Sequence, residues 1–284
     1  MIVYLNGRYL PDRDASISPL DRGFLFGDGV YEVVRAFDGK LVAADKHWTR
    51  LARSLREIRI PGEPFLGDTM SGIALRLLEE NGLNRGHAIA YLQITRGSAN
   101  PRTHHFPPAA TTPTVYASAG PFTPPDPQRL RGVPIMLAPD ERWGRCDIKS
   151  VNLLPNALAK QAAVEADAWE TVFVRDGRIT EGTSSNLSAV IGGVIRTHPL
   201  THAILGGITR DVMLDAARAL GLEVDERAFT VSELETADEA FLTSTTNDVM
   251  PVVRVDATPI ADGKPGEVTR RLWEAVRARL YGGR

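Results

Sequence analysis

Four prolines fall within "AGPFTPPDPQRLRG", residues 119–132, near the middle of the chain. Proline fixes φ and has no backbone N–H, so neither a long helix nor a central strand runs through this stretch. The chain is therefore expected to divide here. A small α+β domain is assigned to residues 1–119, an interdomain linker to 120–130, and a larger domain to 131–284.

Each part mixes strand and helix patterns. "IVYLNGRYL" and "VYEVVRAFDGKLVA" are strand pairs turning at Asn6-Gly7 and Asp38-Gly39. Trp48, Leu51, Ala52, Leu55 and Ile58 recur at helical spacing, with Arg50, Arg53 and Arg56 off that stripe. "SGIALRLLEENG" is a second helix and "HAIAYLQITRG" a strand. Beyond the prolines come a strand at "PIMLAP", a helix through "NALAKQAAVEA", a hairpin in "ETVFVRDGRITEG" and a helix in "GGITRDVMLDAARALG". Strands at "LEVDERAF" and "EAFLTST" and a closing helix, "EVTRRLWEAVRARL", complete the second part. The fold class is mixed, α+β or α/β, with two unequal domains.

With 284 residues and a formal net charge of −2, the chain has no general attraction for nucleic acid or anionic membrane. No apolar run approaches bilayer length, and acids arrive too early in "MIVYLNGRYLPDRD" for a signal peptide. Cys146 is the single cysteine, so no disulfide forms within the chain and a cytoplasmic location is expected.

"RCDIKSVNLLPNALAK" holds two lysines, Lys149 and Lys160. Lys149 sits just ahead of an apolar run, where a charged amine is costly. It is either an ordinary surface cation or an amine that forms a Schiff base with a carbonyl. In "GGITRD" the free N–H groups of Ile208 and Thr209 suit an anion, or else Thr209 simply caps a helix. "TSTTND" sets Ser244, Thr245 and Thr246 before a turn. Arg50 is either a solvated arginine or a fork for phosphate. In "RITEGTSSNLSAV", Glu181 is a turn acid or the partner of a protonated ring nitrogen. Arg102 in "TRGSANPRTHHF", with a neighbouring histidine, suits a substrate carboxylate or lies in a solvated loop. Tyr31, Val33 and Arg35 share one strand face. The six histidines lack paired zinc spacing, and no "GxSxG" elbow is present. An amine, an anion cup, a carboxylate for a ring nitrogen and an acid-binding arginine together fit pyridoxal 5'-phosphate.

In order, "DRGFLFGDGVYE", "RCDIKSVNLLPNALAKQ", "TEGTSSN", "ILGGITRD" and "FLTSTTND" resemble the fold-type IV pyridoxal-phosphate enzymes, from Tyr4 to the closing helix. That family includes branched-chain aminotransferases, D-amino acid aminotransferases and aminodeoxychorismate lyase. "TRG", "PRTHHFP" and "CDIKSVNLL" are most similar to the D-amino acid aminotransferases. The resemblance implies an active site between the two domains of a homodimer, at the subunit interface. It implies ping-pong transamination of D-amino acids with 2-oxo acids, with branched-chain L-amino acid or (R)-amine transamination and the lyase as alternatives. By the same resemblance Lys149 holds the cofactor as a Schiff base, Glu181 pairs with the ring nitrogen and Leu205 packs on the ring. Arg50, Ile208, Thr209 and Thr245 take the phosphate. Tyr31, with Arg102 and His104 from the neighbouring subunit, takes the substrate carboxylate. "SAN", before "PRTH", makes that loop one residue longer than the resemblance leads one to expect.

Overall fold

The computed structural model describes residues 1–62, 65 and 67–282. Two compact units divide the chain: Met1–Thr123 with Ile148–Asn152, and Pro124–Asp147 with Leu153 onward. The division thus falls after Thr123, and within residues 120–130 a strand ends at Pro121 and a short helix begins at Asp126. The segment around Lys149 belongs to the first unit because its backbone pairs there. Tyr31 N–H donates to the Lys149 carbonyl at 3.0 Å and Val151 N–H to the Gly29 carbonyl at 3.1 Å.

In the first unit, β1 (Ile2–Leu5) and β2 (Arg8–Pro11) form the expected hairpin, with Asn6 and Gly7 at φ 49° and 88°. A short helix that the sequence patterns did not indicate, α1 (Arg22–Phe26), precedes β3 (Gly29–Phe37) and β4 (Lys40–Leu41). Its N-cap is Asp21, which accepts from Gly23 N–H, and its C-cap Gly27 takes a left-handed φ of 66°. Then come α2 (Ala44–Glu57), α3 (Asp68–Glu80), β5 (His87–Thr95) and β6 (Thr114–Pro121). The six strands run β2-β1-β6-β5-β3-β4, every pair antiparallel.

Alternation gives this sheet two unlike faces. Val30, Val34, Leu92 and Ile94 pack with Trp48, Leu51 and Leu55 of α2 and Leu77 and Leu78 of α3. Tyr31, Val33 and Arg35 share the opposite face, as period two requires, and Tyr31 there meets Tyr91. Glu32 is the exception, an acid on the apolar face and fully buried.

The second unit contains α4 (Asp126–Arg131), β7 (Val133–Pro139), α5 (Leu154–Glu165), β8 (Glu170–Arg175), β9 (Arg178–Gly182), β10 (Asn186–Ile191), β11 (Val194–Thr197) and α6 (Ile208–Ala219). It continues through β12 (Val224–Asp225), α7 (Val231–Glu235), β13 (Glu239–Ser244), β14 (Asp248–Val255), β15 (Thr258–Pro259) and α8 (Glu267–Tyr281). Its sheet runs β12-β11-β10-β13-β14-β7-β8-β9, with β15 on β14, and β14-β7 and β7-β8 are parallel. Both faces are covered. Leu187 and Leu242 face Phe229 and Leu234, while Val190 and Phe241 face α6 and α8. The long strand expected at "LEVDERAF" shrinks to Val224–Asp225, which pairs with β11. "NLSAV", grouped with the polar cluster before it, is the buried strand β10.

Candidate active site

Lys149 and Lys160 have different surroundings. The Lys149 backbone N–H donates to Ser54 Oγ at 3.4 Å, and its Nζ lies 4.1 Å from the centre of the Tyr31 ring. Its main-chain carbonyl is tied to β3, so the side chain leaves from a fixed point and the amine rests on an aromatic face. Lys160 instead donates its Nζ to the Trp169 carbonyl, just past the end of its own helix. Lys149 is thus the amine with a prepared surface beside it. Tyr31 stacks on Tyr91 at 5.6 Å, and Tyr91 donates its hydroxyl to Gln93 at 2.6 Å. Burial, with Tyr31 and Tyr116 nearby, pushes the Tyr91 phenol up to about 12, so it stays a donor at all ordinary pH.

Beneath this face Arg50 lays its fork on Glu32, Nε to Oε1 at 2.7 Å and Nη2 to Oε2 at 2.8 Å. His47 adds Nδ1 to Oε2 at 2.7 Å. Burial pushes the Glu32 carboxyl up, but the Arg50 charge and the hydrogen bonds outweigh it and hold Glu32 at about 2. Burial lowers His47, so the ring is neutral near pH 7 and Nδ1–H is the donor to Glu32. Arg50 is 10% exposed, which removes it from the solvated helix face.

In the second unit Glu181 lies one residue before the end of β9 and is buried. Its Oε2 accepts from Asn186 Nδ2 and from Leu205 N–H, each at 3.0 Å, and its Oε1 accepts from Arg142 Nη1 at 2.5 Å. Arg142 is committed elsewhere as well, with Nε and Nη2 on the two oxygens of Asp140 at 2.9 and 3.0 Å. Burial dominates at Glu181 and is only partly offset by Arg142, so its pKa is raised to about 7. Arg142 holds Asp140 below the usual carboxylate range.

Asn186 also donates to the Leu205 carbonyl at 2.9 Å, joining β10 to the turn before α6. A Cβ on Gly207 would lie 2.1 Å from the Asn186 amide oxygen, so only glycine allows this close approach. Helix α6 then starts at Ile208 and Thr209 with no side-chain cap on its first turn, a geometry suited to an anion. Thr245 lies in the turn after β13, where Asn247 N–H donates to Ser244 Oγ at 3.1 Å. Glu181, Leu205, Ile208 and Thr209 are thus linked through one asparagine and one glycine.

Arg102 and His104 come together on Phe26 of α1. The Arg102 guanidinium lies 4.4 Å from that ring's centre and the His104 ring 5.6 Å from it. Arg35 is 2% exposed, with Nη2 on His87 Nδ1 at 3.0 Å and its guanidinium over Phe122.

Sequence reasoning passed over Glu32, His47, Arg142 and Asn186. Period-two alternation does place Glu32 among Val30, Val34 and Ala36, and one acid on an apolar face signals a buried pair. Arg142 carried no such signal, since it lies 39 positions from Glu181 and only the sheet brings the two together.

The Amino-transferase class IV family model matches residues 29–255 of the chain. D-alanine aminotransferase of Bacillus licheniformis is 43% identical over 278 residues, 98% of this chain and 96% of its own. D-alanine aminotransferase of Listeria monocytogenes is 40% identical over 273 residues, covering 96% and 93%. Among solved structures, the branched-chain amino acid aminotransferase of Escherichia coli has a TM-score of 0.88 at 26% identity, over 99% of this chain and 95% of that one. A second branched-chain amino acid aminotransferase, from T.th. and complexed with N-(5'-phosphopyridoxyl)-L-glutamate, has a TM-score of 0.87 at 27% identity, over 100% and 95%.

Proposed function

The chain belongs to the class IV aminotransferases and is an enzyme that transfers amino groups with pyridoxal 5'-phosphate; from that premise we propose that its donors are D-amino acids, D-alanine and D-glutamate foremost, and its acceptors 2-oxo acids such as 2-oxoglutarate and pyruvate. The observation that carries this choice is the 43% identity with a D-alanine aminotransferase across 98% of the chain. The branched-chain aminotransferases among the structures are similar in shape but only 26% and 27% identical.

The residues present fit the cofactor. Lys149, Arg50, Glu181, Leu205, Ile208, Thr209 and Thr245 are the groups assigned to hold it. The uncapped start of α6 suits a phosphate, and Glu181 is a buried carboxylate short of a full counter-charge. Bound pyridoxal 5'-phosphate supplies an electron-withdrawing ring that stabilises negative charge at the substrate Cα. Lys149 Nζ is the amine that anchors the cofactor and, when released, takes and returns the Cα proton. Glu181 Oε2, fixed by Asn186 and the Leu205 N–H, favours a proton on the ring nitrogen. Tyr31, Arg102 and His104 are assigned to the substrate carboxylate, the last two acting from the neighbouring subunit of a homodimer. Support for the dimer is α5, which exposes Leu154, Leu158 and Val164 at 70%, 64% and 61%.

No helix among the described residues is long and apolar enough to cross a membrane. The single cysteine supports a cytoplasmic location.

The test is a donor panel of D- and L-alanine, D- and L-glutamate, D- and L-leucine and (R)-1-phenylethylamine, followed by half-reaction spectra. D-Alanine and D-glutamate are expected to convert the cofactor fastest, with ping-pong kinetics. Preference for L-leucine or the amine would overturn the choice of donor. Mixed dimers of Lys149→Ala and Arg102→Ala subunits are expected to show more D-alanine activity than either homodimer. No recovery would overturn the shared site.

A further inference from the structure

The loop that carries Arg102 and His104 leaves β5 after Thr95 and rejoins the sheet at Thr114, with no helix or strand between them. Loops of this length are ordinarily mobile unless something ties them down. The ties are found on α1. Arg22 is 5% exposed, and its fork points at the backbone of the loop, Nη1 to the Thr103 carbonyl at 2.7 Å and Nη2 to the His104 carbonyl at 3.3 Å. Its Nε is on Asp28 Oδ2 at 2.8 Å. Asp28 also takes Arg96 on both oxygens, at 2.8 and 3.0 Å. Arg96 continues to the carbonyls of Ile58 and Arg59, just past α2, and its guanidinium lies 3.7 Å from the centre of the Phe106 ring.

The arrangement has a directional consequence. With the carbonyls of Thr103 and His104 turned inward to Arg22, the side chains of Arg102 and His104 are left exposed, and Phe26 supports both from below. Only arginine can satisfy a carboxylate and two carbonyls from one planar head group, and a lysine at this position would have to give up part of the set. A recognition segment ordered before the substrate arrives does not lose affinity to the ordering of its own backbone.

We propose that Arg22 is a positioning residue for substrate-carboxylate recognition, holding the Arg102–His104 segment in its presenting conformation by gripping two of its carbonyls. This rests on the assignment of Arg102 and His104 to the substrate carboxylate. The experiment uses the full-length holoenzyme as parent, Arg22→Lys, Arg22→Gln and, in parallel, Arg102→Ala. Hydrogen exchange of peptides covering residues 102–106 and 44–57 is followed together with D-alanine kinetics.

For both Arg22 variants the 102–106 peptide is expected to exchange at least about tenfold faster while 44–57 is unchanged. The KM for D-alanine is expected to rise about tenfold with kcat within about threefold of the parent. Unchanged exchange at 102–106 overturns the proposal, and so does an equal rise at 44–57, which marks a merely structural residue. Faster loop exchange with an unchanged KM overturns it too. In that case a raised KM in Arg102→Ala leaves the carboxylate assignment standing, and an unchanged one removes that assignment as well. If Arg22→Gln does not fold, Arg22→Lys, which keeps the charge beside Asp28, decides the matter alone.

Discussion

Glu32 and Glu181 are both buried, and both bind an arginine, yet one is held at about 2 and the other raised to about 7. The difference lies in what each arginine does elsewhere. Arg50 meets both oxygens of Glu32, and neutral His47 adds a further donor. Arg142 gives Glu181 one contact and gives Asp140 two. Two carboxylates share that one guanidinium, so burial prevails at Glu181. A fully balanced carboxylate holds structure in place. One left short of positive charge is suited to receive a cation, the part that the proposed function gives to Glu181.

The largest effect belongs to the amine. Lys149→Ala is expected to reduce turnover by at least about 10^3-fold with the fold retained, measured by steady-state rates and circular dichroism. Borohydride reduction followed by peptide mapping should place the label on Lys149. A label on Lys160 would remove the distinction drawn between the two lysines. Next is Glu32→Gln, expected to cost about 3 kcal/mol because Arg50 is left buried against a neutral partner. Denaturant unfolding measures it, and an unchanged midpoint would mean that the pair is not structural. Glu181→Gln should slow proton abstraction about 100-fold in single turnover and should not destabilise the protein at pH 8, since it removes an under-compensated charge. If both glutamine variants lost stability equally, the two carboxylates would not differ as described.

Arg50→Ala has a smaller effect on chemistry. Its expected result is pyridoxal phosphate loss about tenfold faster on dialysis, with the order of preferred donors unchanged. Full activity at the parent's cofactor content, without added cofactor, would deny Arg50 a place at the phosphate.

Local signals were the readable ones. Asn6-Gly7 and Asp38-Gly39 marked real hairpins, and the stripe of Trp48, Leu51 and Leu55 marked α2, because each depends on neighbours within a few residues. Lys149 stood out by its position before an apolar run. What surrounds Lys149 and Glu181 was not local. The grip of Arg142 on Glu181 and the pairing of residues 149–151 with the edge of β3 exist only once the sheets form. Helix α1 was missed because five residues are too few to show a period, although Asp21 and Gly27 bracket it with an N-cap and a left-handed C-cap. The same short motif supplies Arg22 and Asp28, so part of its meaning became visible only when the 102–106 loop was seen lying on it.

The opposite displacements of the two glutamates also predict opposite pH slopes. Glu32, depressed to about 2 from 4.5, contributes stability that is fully present above about 4.5 and is lost as pH falls through 2. Glu181, raised to about 7, holds a proton in the folded state that the unfolded chain has released above 4.5, so its contribution declines as pH rises from 4.5 to 7 and then levels off. The decisive measurement is a carbon-13 titration of the cofactor-free protein with labelled glutamate carboxyls, the two resonances assigned through Glu32→Gln and Glu181→Gln. Glu181 is expected to titrate near pH 7 without cofactor and to shift well below that when pyridoxal phosphate is bound, while Glu32 stays ionised throughout. A Glu181 resonance that titrates among the ordinary carboxylates in the cofactor-free protein, and does not move on binding, would contradict its role as the acceptor for the ring's positive charge.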